Sequence, residues 1–281
     1  RADIAKVITA VGEWDAPALV GLCEIENSNV LFDLVKNSPL EVQNYSFVHK
    51  ESPDDRGIDV ALLYKKDKFK LIKEEFISIK YPNKPNTRTR DILFATGIIP
   101  TGDTLYVFVN HWPSRIGGEL ESESKRMYVA SVLRNKIDSL FKSVEEPKIV
   151  IMGDFNDFPD NKSISRELKA LKPHEDIEDE ELYNLYSVIQ EKGEVGTYKM
   201  AGEWNVLDQI IVSGALLNKE NNIFTTQDDA HVFSADFLLQ SDEKNLGKRP
   251  FRTYQGLKYL GGISDHLPVF VYFTIEEKLD K

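Results

Sequence analysis

Several short, almost wholly apolar runs in this sequence end on a polar residue, and this pattern limits the folds that the chain can adopt. Residues 18–23 lead into Glu24, and residues 148–152 lead through Gly153 into Asp154. Apolar runs of this length without a helical period are typical of strands that are covered on both faces. Ligand sites in open α/β sheets lie beyond the ends of such strands. The pattern therefore predicts an α/β fold with polar side chains collected at one edge of a sheet.

The remaining hydrophobic periodicity predicts helices and strands over the whole chain. Amphipathic spacing predicts a helix over residues 4–11, a short helix over 29–36 and a long one over 122–141. Helical segments are also expected near 163–171 and 180–190. Strands are expected at 45–48, 58–64, 69–79, 92–99, 105–109, 206–212 and 267–275. No short repeat and no Pro/Ser linker divides the chain, so residues 1–281 are interpreted as a single domain.

Composition excludes some classes of function. The net charge of −11 has the wrong sign for a protein that holds nucleic acid by bulk electrostatics, although residues 241–263 form a locally basic, Gly-rich segment. No apolar stretch is long enough to predict a transmembrane segment. The single cysteine, Cys23, excludes an internal disulfide and a zinc site of several thiolates. Its thiol is interpreted as a small buried side chain.

The polar residues that follow the predicted strands have a common chemistry. A single carboxylate after a strand usually caps a helix, but a recurrent set favours a site. Carboxylates and an amide without thiolates suit a hard divalent cation, Mg²⁺ or Mn²⁺. Histidines held by carboxylates suit proton transfer near neutral pH. The set consists of Glu24, His111, Asp154, Asn156, Asp208, Asp265 and His266.

Six short motifs resemble the endonuclease/exonuclease/phosphatase superfamily, which includes deoxyribonucleases, abasic-site endonucleases, inositol polyphosphate phosphatases and bacterial sphingomyelinases. They are LCE at 22–24, IDVALLY at 58–64, NHW at 110–112, GDFND at 153–157, LDQI at 207–210 and SDH at 264–266. The resemblance covers nearly the whole chain in the family's order, and GDFN with a late SDH is a specific combination. It implies a four-layer αββα sandwich of two mixed β-sheets with outer helices.

The resemblance also implies a role for each site residue. Glu24 would be the principal metal ligand, assisted by Asp265. Asp154 would orient or deprotonate the attacking water, and Asn156 would hold that water or a phosphate oxygen. His266 would contact the scissile phosphate and pair with Asp208. His111 would donate to a phosphate oxygen or protonate the leaving group, braced by Asp59.

Arginines are the cations that we expect at the substrate phosphate, because a guanidinium can hold two phosphate oxygens. Arg90, Arg115 and Arg252 are the candidates, whereas Arg126 is more consistent with a solvated surface charge. Trp112 and Tyr254 are open to two interpretations, stacking on a substrate or packing in the core.

The function implied is hydrolysis of a phosphate ester by a metal-dependent enzyme, with in-line attack of water. A phosphodiesterase or nuclease is favoured by NHWPSR and by the basic segment 241–263. Two alternatives stay open: a phosphatase for lipid head groups, inositols or sugars, and an inactive binding module on the same fold. No run of aromatic residues predicts a membrane-contact loop.

Bacterial members of the family are often exported, so export is expected here. The protein is also expected to be a monomer. The sequence begins at Arg1 rather than Met, and the strand with which the family normally begins, which carries a metal-shell Asn, is expected to be missing.

Overall fold

The computed structural model describes residues 2–82, 84 and 86–276. Its α-helices are α1 (Ala2–Val11), α2 (Ser28–Lys36), α3 (Glu119–Ser143) and α4 (Ser187–Lys192). Its strands are β1 (Leu19–Ile25), β2 (Tyr45–His49), β3 (Asp59–Lys65), β4 (Lys70–Ile77), β5 (Ile92–Ile98), β6 (Thr104–His111), β7 (Lys148–Asp154), β8 (Ala170–Leu171), β9 (Leu182–Asn184), β10 (Tyr198–Met200), β11 (Glu203–Asn205), β12 (Asp208–Ser213), β13 (Ile223–Phe224), β14 (Ala230–Val232), β15 (Leu239–Ser241), β16 (Lys248–Pro250), β17 (Tyr254–Gln255), β18 (Lys258–Tyr259), β19 (Val269–Val271) and β20 (Thr274–Ile275).

The larger sheet is mixed and has seven strands in the order β4-β5-β6-β7-β12-β9-β8. Strands β6 and β7 are parallel, which requires a crossover, and α3 supplies it. Strand β12 is antiparallel to β7. Parallel pairing brings the carboxyl ends of β6 and β7 to the same edge, and antiparallel pairing brings the start of β12 there as well.

The smaller sheet has the order β1-β3-β2, and all its pairings are antiparallel. The two-stranded ladder of β14 and β19 packs on the same core through Val232, Val269 and Val271. The outer face of the three-stranded sheet is covered by α1 and α2. On the other side of the molecule, α3 covers the larger sheet.

Alternation along single strands explains the layers. In β3, Val60 and Leu62 face the core between the sheets, whereas Ala61 and Leu63 face α1 and α2. Because side chains alternate with a period of two, a strand with apolar residues at every position must be covered on both faces. The same pattern in β7 directs Val150 between the sheets and Ile149 and Ile151 toward α3. The predicted αββα architecture is thus confirmed.

Two predicted helical segments differ from the structure. Residues 163–168 form a π-helical turn, followed by β8, and the 180–190 segment contains β9 before the short helix α4. Leu182, Tyr183 and Asn184 are fully buried, and β9 pairs with β12. Short apolar runs fit a strand or a helix equally well, so pairing with a neighbouring strand decides between them.

Among the described residues, no helix combines the length and apolar character needed to cross a bilayer.

Candidate active site

The backbone ladder of the larger sheet places three predicted site residues side by side. His111 at the end of β6 is the register partner of Asp154 at the end of β7. Asp154 is in turn the partner of Asp208 at the start of β12. Facing residues of paired strands are close neighbours on one face of a sheet. His111 Nε2 accordingly lies 3.6 Å from Asp154 Oδ2.

His266 joins this row from the C-terminal part of the chain. Its Nδ1 lies 2.6 Å from Asp208 Oδ2, and its ring rests against Tyr198 with centroids 4.9 Å apart. An isolated β-bridge between Tyr198 and His266 fixes the backbone. Side-chain atoms of Asp154, Asp208 and His266 lie within 4.8 Å of one another. We call these three residues the carboxylate–histidine group.

The turn after β7 holds the Asp154 carboxylate in place. The backbone N–H of Asn156 donates to Asp154 Oδ1 at 2.8 Å, and its side-chain amide donates to Oδ2 at 3.0 Å. Asn156 has φ of 51°, in the left-handed region that Asn tolerates better than most residues. Its amide also donates to the Trp112 carbonyl at 3.0 Å. Asn156 therefore orients Asp154.

Burial and mutual repulsion raise the pKa of Asp154. Desolvation is the largest cause and the nearby Asp208 carboxylate adds to it, while His266, the Asn156 N–H and Arg90 oppose the rise. For His266, burial alone would lower the pKa, but Asp208 outweighs it by charge and hydrogen bond. Asp154 and Asp265 add further negative charge, and the pKa of His266 is raised to about 10. His266 is therefore a cation at neutral pH.

His111 has the opposite character. Burial is the main cause that lowers its pKa well below the ordinary value, and the cations Arg90, Arg56 and His266 lower it further. The prediction that Asp59 braces His111 is wrong. Asp59 accepts from the Ser52 N–H at 2.7 Å and contacts His49 Nε2 at 3.1 Å. The Nδ1 of His111 is buried and has no hydrogen-bond partner among the described residues.

Glu24 and Asp265, the predicted metal ligands, lie outside the carboxylate–histidine group. Glu24 occupies a β-bulge of β1 with φ of 59°, its side chain is 61% exposed, and its Oε1 lies 3.8 Å from Arg56. The neighbouring Cys23 connects it to the site, because the Cys23 thiol donates to the Asn110 carbonyl at 3.4 Å. Burial, with Asp154 next in importance, raises the pKa of that thiol. Asp265 acts on the group through its charge, which raises the pKa of His266.

Two of the predicted phosphate-binding arginines are engaged by the protein itself. Arg90 is buried and donates to the carbonyls of His111 and Trp112 at 3.1 and 2.6 Å, and it pairs with Asp54 at 2.9 Å. Arg90 thus braces the backbone behind His111. Arg115 donates to the Asn156 carbonyl and to Asn161, both at 2.8 Å. It also pairs with Asp157 and Glu119, each at 3.2 Å, and its role at phosphate stays a prediction.

The remaining predicted cations divide in the same way. Arg126 is instead fully buried and its Nε lies 2.7 Å from Asp157 Oδ2, so the interpretation as a solvated charge is wrong. Arg252 is half-buried, and within the described residues it forms no ion pair; its buried Nε lacks a hydrogen-bond partner. Its role at phosphate stays a prediction. Trp112 packs in the core against Phe155, whereas Tyr254 is exposed.

A divalent cation fits the donors at this site. The charge on Asp208 raises the pKa of Asp154, so two carboxylates repel one another at close range, and a cation would relieve that repulsion. Because the Nδ1 of His266 is engaged by Asp208, the carboxylates are the better ligands. Oxygen donors suit Mg²⁺ or Mn²⁺.

Sequence reasoning missed residues that support the site. Thr197 accepts with its hydroxyl from the N–H groups of Leu207 and Asp208, both at 3.1 Å. Its own carbonyl accepts from Leu267 at 2.7 Å, which joins β12 to the segment of His266. Arg56 approaches Glu24 and lowers the pKa of His111. Neither residue lies in a motif or after an apolar run, so the sequence offered no signal for them.

A model of the endonuclease/exonuclease/phosphatase family matches residues 2–275, and the chain belongs to this family. A search of curated proteins finds no matching relative.

Solved structures with the same fold share little sequence with this chain. D. rerio TDP2 complexed with a single strand DNA product is 17% identical, with 97% of this chain and 91% of that chain covered and a TM-score of 0.59. The human nocturnin catalytic domain is 16% identical, with 98% and 86% covered and a TM-score of 0.60. A mannosyl-6-phosphatase of Bacteroides thetaiotaomicron is 16% identical, with 98% and 90% covered and a TM-score of 0.57.

Proposed function

We propose that this protein hydrolyses phosphate esters with a divalent cation, and that a phosphodiester of nucleic acid is its substrate class. The observation that carries the proposal is the carboxylate–histidine group, which stands at the shared edge of β6, β7 and β12. A carboxylate can accept the proton of the attacking water, and a protonated imidazole can stabilise the charge that grows on the phosphate oxygens, so this group suits in-line attack of water on phosphorus. The complex of TDP2 with a single strand DNA product supports the choice of substrate class.

Each residue of the site has a task in this reaction. Asp154, held by two hydrogen bonds from Asn156, accepts a proton from the attacking water, and its raised pKa suits it to that task. The cationic His266, fixed by Asp208, donates to a phosphate oxygen as negative charge grows there. His111 is neutral, and it donates a hydrogen bond to a phosphate oxygen without adding positive charge to the site. The Asp154 and Asp208 carboxylates, which lie together, would hold the metal ion, with Glu24 and Asp265 as the further ligands that the sequence predicts, and the ion would polarise the phosphate oxygens when bound.

Two substitutions test the proposal. We expect Asp154→Asn and His266→Ala to lower turnover about 10³-fold or more, since each removes a proton-transfer or charge-stabilising group. His174→Ala is the matched control, because His174 is exposed and lies away from the site. Circular dichroism checks that each variant is folded. Wild-type rates in either site variant would contradict the proposal.

A substrate panel decides the class of ester. Plasmid DNA, RNA, sphingomyelin, phosphoinositides and mannose 6-phosphate are each assayed with Mg²⁺ and with chelator. We expect turnover of a nucleic acid that chelator abolishes. If calorimetry shows no binding of Mg²⁺ or Mn²⁺ and no ester is turned over, the chain is a binding module instead.

A lipid head-group phosphodiesterase is a second candidate, favoured by one observation. The hairpin of β17 and β18 exposes Tyr254 and Tyr259, and the side chain of Leu257 at its tip is fully exposed. This corrects the expectation that no apolar contact loop is present. Co-sedimentation with sphingomyelin vesicles, with wild type and Leu257→Ser compared, tests this candidate. Equal and negligible sedimentation of both proteins would exclude it.

A further inference from the structure

A cavity of about 280 Å³ adjoins the backbone segment that carries His111. Arg90 forms part of the wall of the cavity and donates to the carbonyl of His111, so the cavity and the catalytic edge share this wall. Pro113 and Ser114, which follow the NHW motif directly, line the same wall.

The lining of the cavity is cationic. Arg56, Arg88, Arg90 and Lys125 line it, and no acidic residue does so among the described residues. Lys125 forms no ion pair within the part of the chain that the structure describes. Arg88 lies 3.8 Å from Asp55, but both side chains are largely exposed, so this pair is weak. The cavity thus concentrates positive charge on a protein whose net charge is −11.

A buried hydroxyl gives the cavity a fixed donor. Tyr81 lines the cavity and is only 8% exposed, and its hydroxyl has no hydrogen-bond partner among the described residues. Burial raises the pKa of Tyr81 to about 12, although Arg90 opposes the rise, so the hydroxyl keeps its proton at neutral pH. A buried donor without an acceptor is unfavourable, and a ligand oxygen would relieve this cost.

We propose that this cavity binds a second phosphate group of the substrate, next to the phosphate that is hydrolysed. The inference rests on the proposed phosphoesterase function and adds a substrate requirement to it. A phosphate group offers only acceptor oxygens and carries up to two negative charges, which matches Arg88, Lys125 and a phenolic donor. Arg56 and Arg90 pair with Asp54 and add positive charge to the wall. A neutral sugar would leave Lys125 without a counter-charge. The second phosphate has two possible sources, the adjoining phosphate of a nucleic acid strand or a second ester on a small molecule.

Paired substrates with and without the second phosphate test this inference. One pair is the dithymidine dinucleotide with and without a 5′-phosphate, and the other is a sugar bisphosphate with its monophosphate. The measured quantity is the ratio of kcat/KM within each pair. We expect a preference for the more phosphorylated member, and the pair that shows it identifies the source.

Two matched sets of variants locate the effect. Lys125→Gln and Arg88→Gln should each reduce that ratio about tenfold, as expected for loss of one charged hydrogen bond. Lys142→Gln on the same helix α3 and Arg166→Gln remove the same charges from exposed positions elsewhere and should preserve it. If Lys125→Gln and Arg88→Gln both keep the wild-type ratio of kcat/KM for both substrate pairs, the inference is wrong.

Calorimetry with inorganic phosphate in chelator separates this inference from the proposed function. We expect the wild-type protein to bind phosphate, and Lys125→Gln but not Lys142→Gln to weaken binding about tenfold. If no ester is turned over but this pattern holds, the proposed function fails and the anion site stands. If turnover is normal but phosphate binding is equal in all three proteins, the anion site fails and the function stands.

Discussion

At the scale of single residues, the ion pair of Asp208 and His266 decides the character of the site. The two side chains meet at 2.6 Å, and Asp208 is the main reason that the pKa of His266 is raised despite burial. His111 Nε2 lies 3.6 Å from Asp154 Oδ2, beyond hydrogen-bond distance, and His111 is neutral. Two histidines of one site thus differ in protonation state, because their partners differ.

This contact makes the stability of the fold depend on pH. A histidine whose pKa is raised on folding adds stability that is complete below the unfolded pKa of about 6.5, and this stability is lost as pH rises through the folded pKa of about 10. We expect Asp208→Asn to lower the pKa of His266 toward its ordinary value. The difference in free energy of unfolding between wild type and Asp208→Asn should then be largest near pH 6 and vanish near pH 10. Urea unfolding in chelator at several pH values measures it.

The control is Asp228→Asn, because Asp228 is an exposed acid away from the site. Its free energy of unfolding should differ from that of wild type by about 0.5 kcal/mol or less over the same range. A pH-independent difference for Asp208→Asn would contradict the assigned protonation of His266.

The residues of the site could be predicted from the sequence, whereas most of their hydrogen-bond and ion-pair partners could not. Asp154, Asp208 and His266 could be found because apolar strands and short motifs point to them in the sequence. The partner of Asp59 was assigned wrongly, and the contacts of Arg90 and Arg115 within the protein were not foreseen, because contacts between distant segments depend on packing that periodicity does not encode. Arg90 lies on the segment before β5, and only the folded backbone brings it behind His111.

At the scale of elements, the close contact of β6 and β7 depends on Gly153. Its φ is 139°, and a Cβ at this position would lie 1.9 Å from the carbonyl oxygen of Asn110. We expect Gly153→Ala to lower the free energy of unfolding by about 3 kcal/mol or more, and to displace Asp154. Chemical denaturation and turnover measure the two effects.

Gly102→Ala is the matched comparison. Gly102 also has a positive φ, of 88°, but a Cβ there would meet nothing within 4 Å. Only backbone strain remains, and it should cost about 1–2 kcal/mol. Equal losses in the two variants would show that the contact with Asn110 is unimportant.

A buried ion pair joins α3 to the turn after β7. Arg126 on α3 is fully buried and lies 2.7 Å from Asp157, which is itself buried. Removing one partner leaves a buried charge, so Arg126→Met should lower the free energy of unfolding by about 3–5 kcal/mol. The double variant Arg126→Met/Asp157→Asn should recover part of this loss in urea denaturation. A single variant as stable as wild type would contradict the pairing.

Most elements were predicted from periodicity, and the failures have one cause. Strands β3, β6 and β7 are continuous apolar runs bounded by polar residues, and helix α3 is long, so length and composition were enough to predict them. Strand β9 has only three residues and forms because β12 offers a paired edge. Such a strand depends on its neighbour rather than on its own sequence.

At the scale of the whole molecule, metal binding should stabilise the fold. A ligand that binds only the folded protein adds about 2.7 kcal/mol at a hundred times its Kd. We expect Mg²⁺ to raise the midpoint of thermal unfolding of the wild-type protein, and to raise it less in Glu24→Gln. Glu41→Gln changes an exposed carboxylate in a separate 3₁₀ turn and should respond as wild type does. An equal response of Glu24→Gln and wild type would remove Glu24 from the metal site.

The site lies on the central strands β6, β7 and β12, and this position affects which parts of the sequence can change. Asp154 and its neighbours are positioned by the backbone hydrogen bonds of the central strands, whereas the hairpin of β17 and β18 lies at the periphery. Insertions, proteolytic nicks or rapid sequence drift at such a periphery leave the central ladder intact. A change of specificity at this periphery therefore need not displace Asp154, Asp208 or His266.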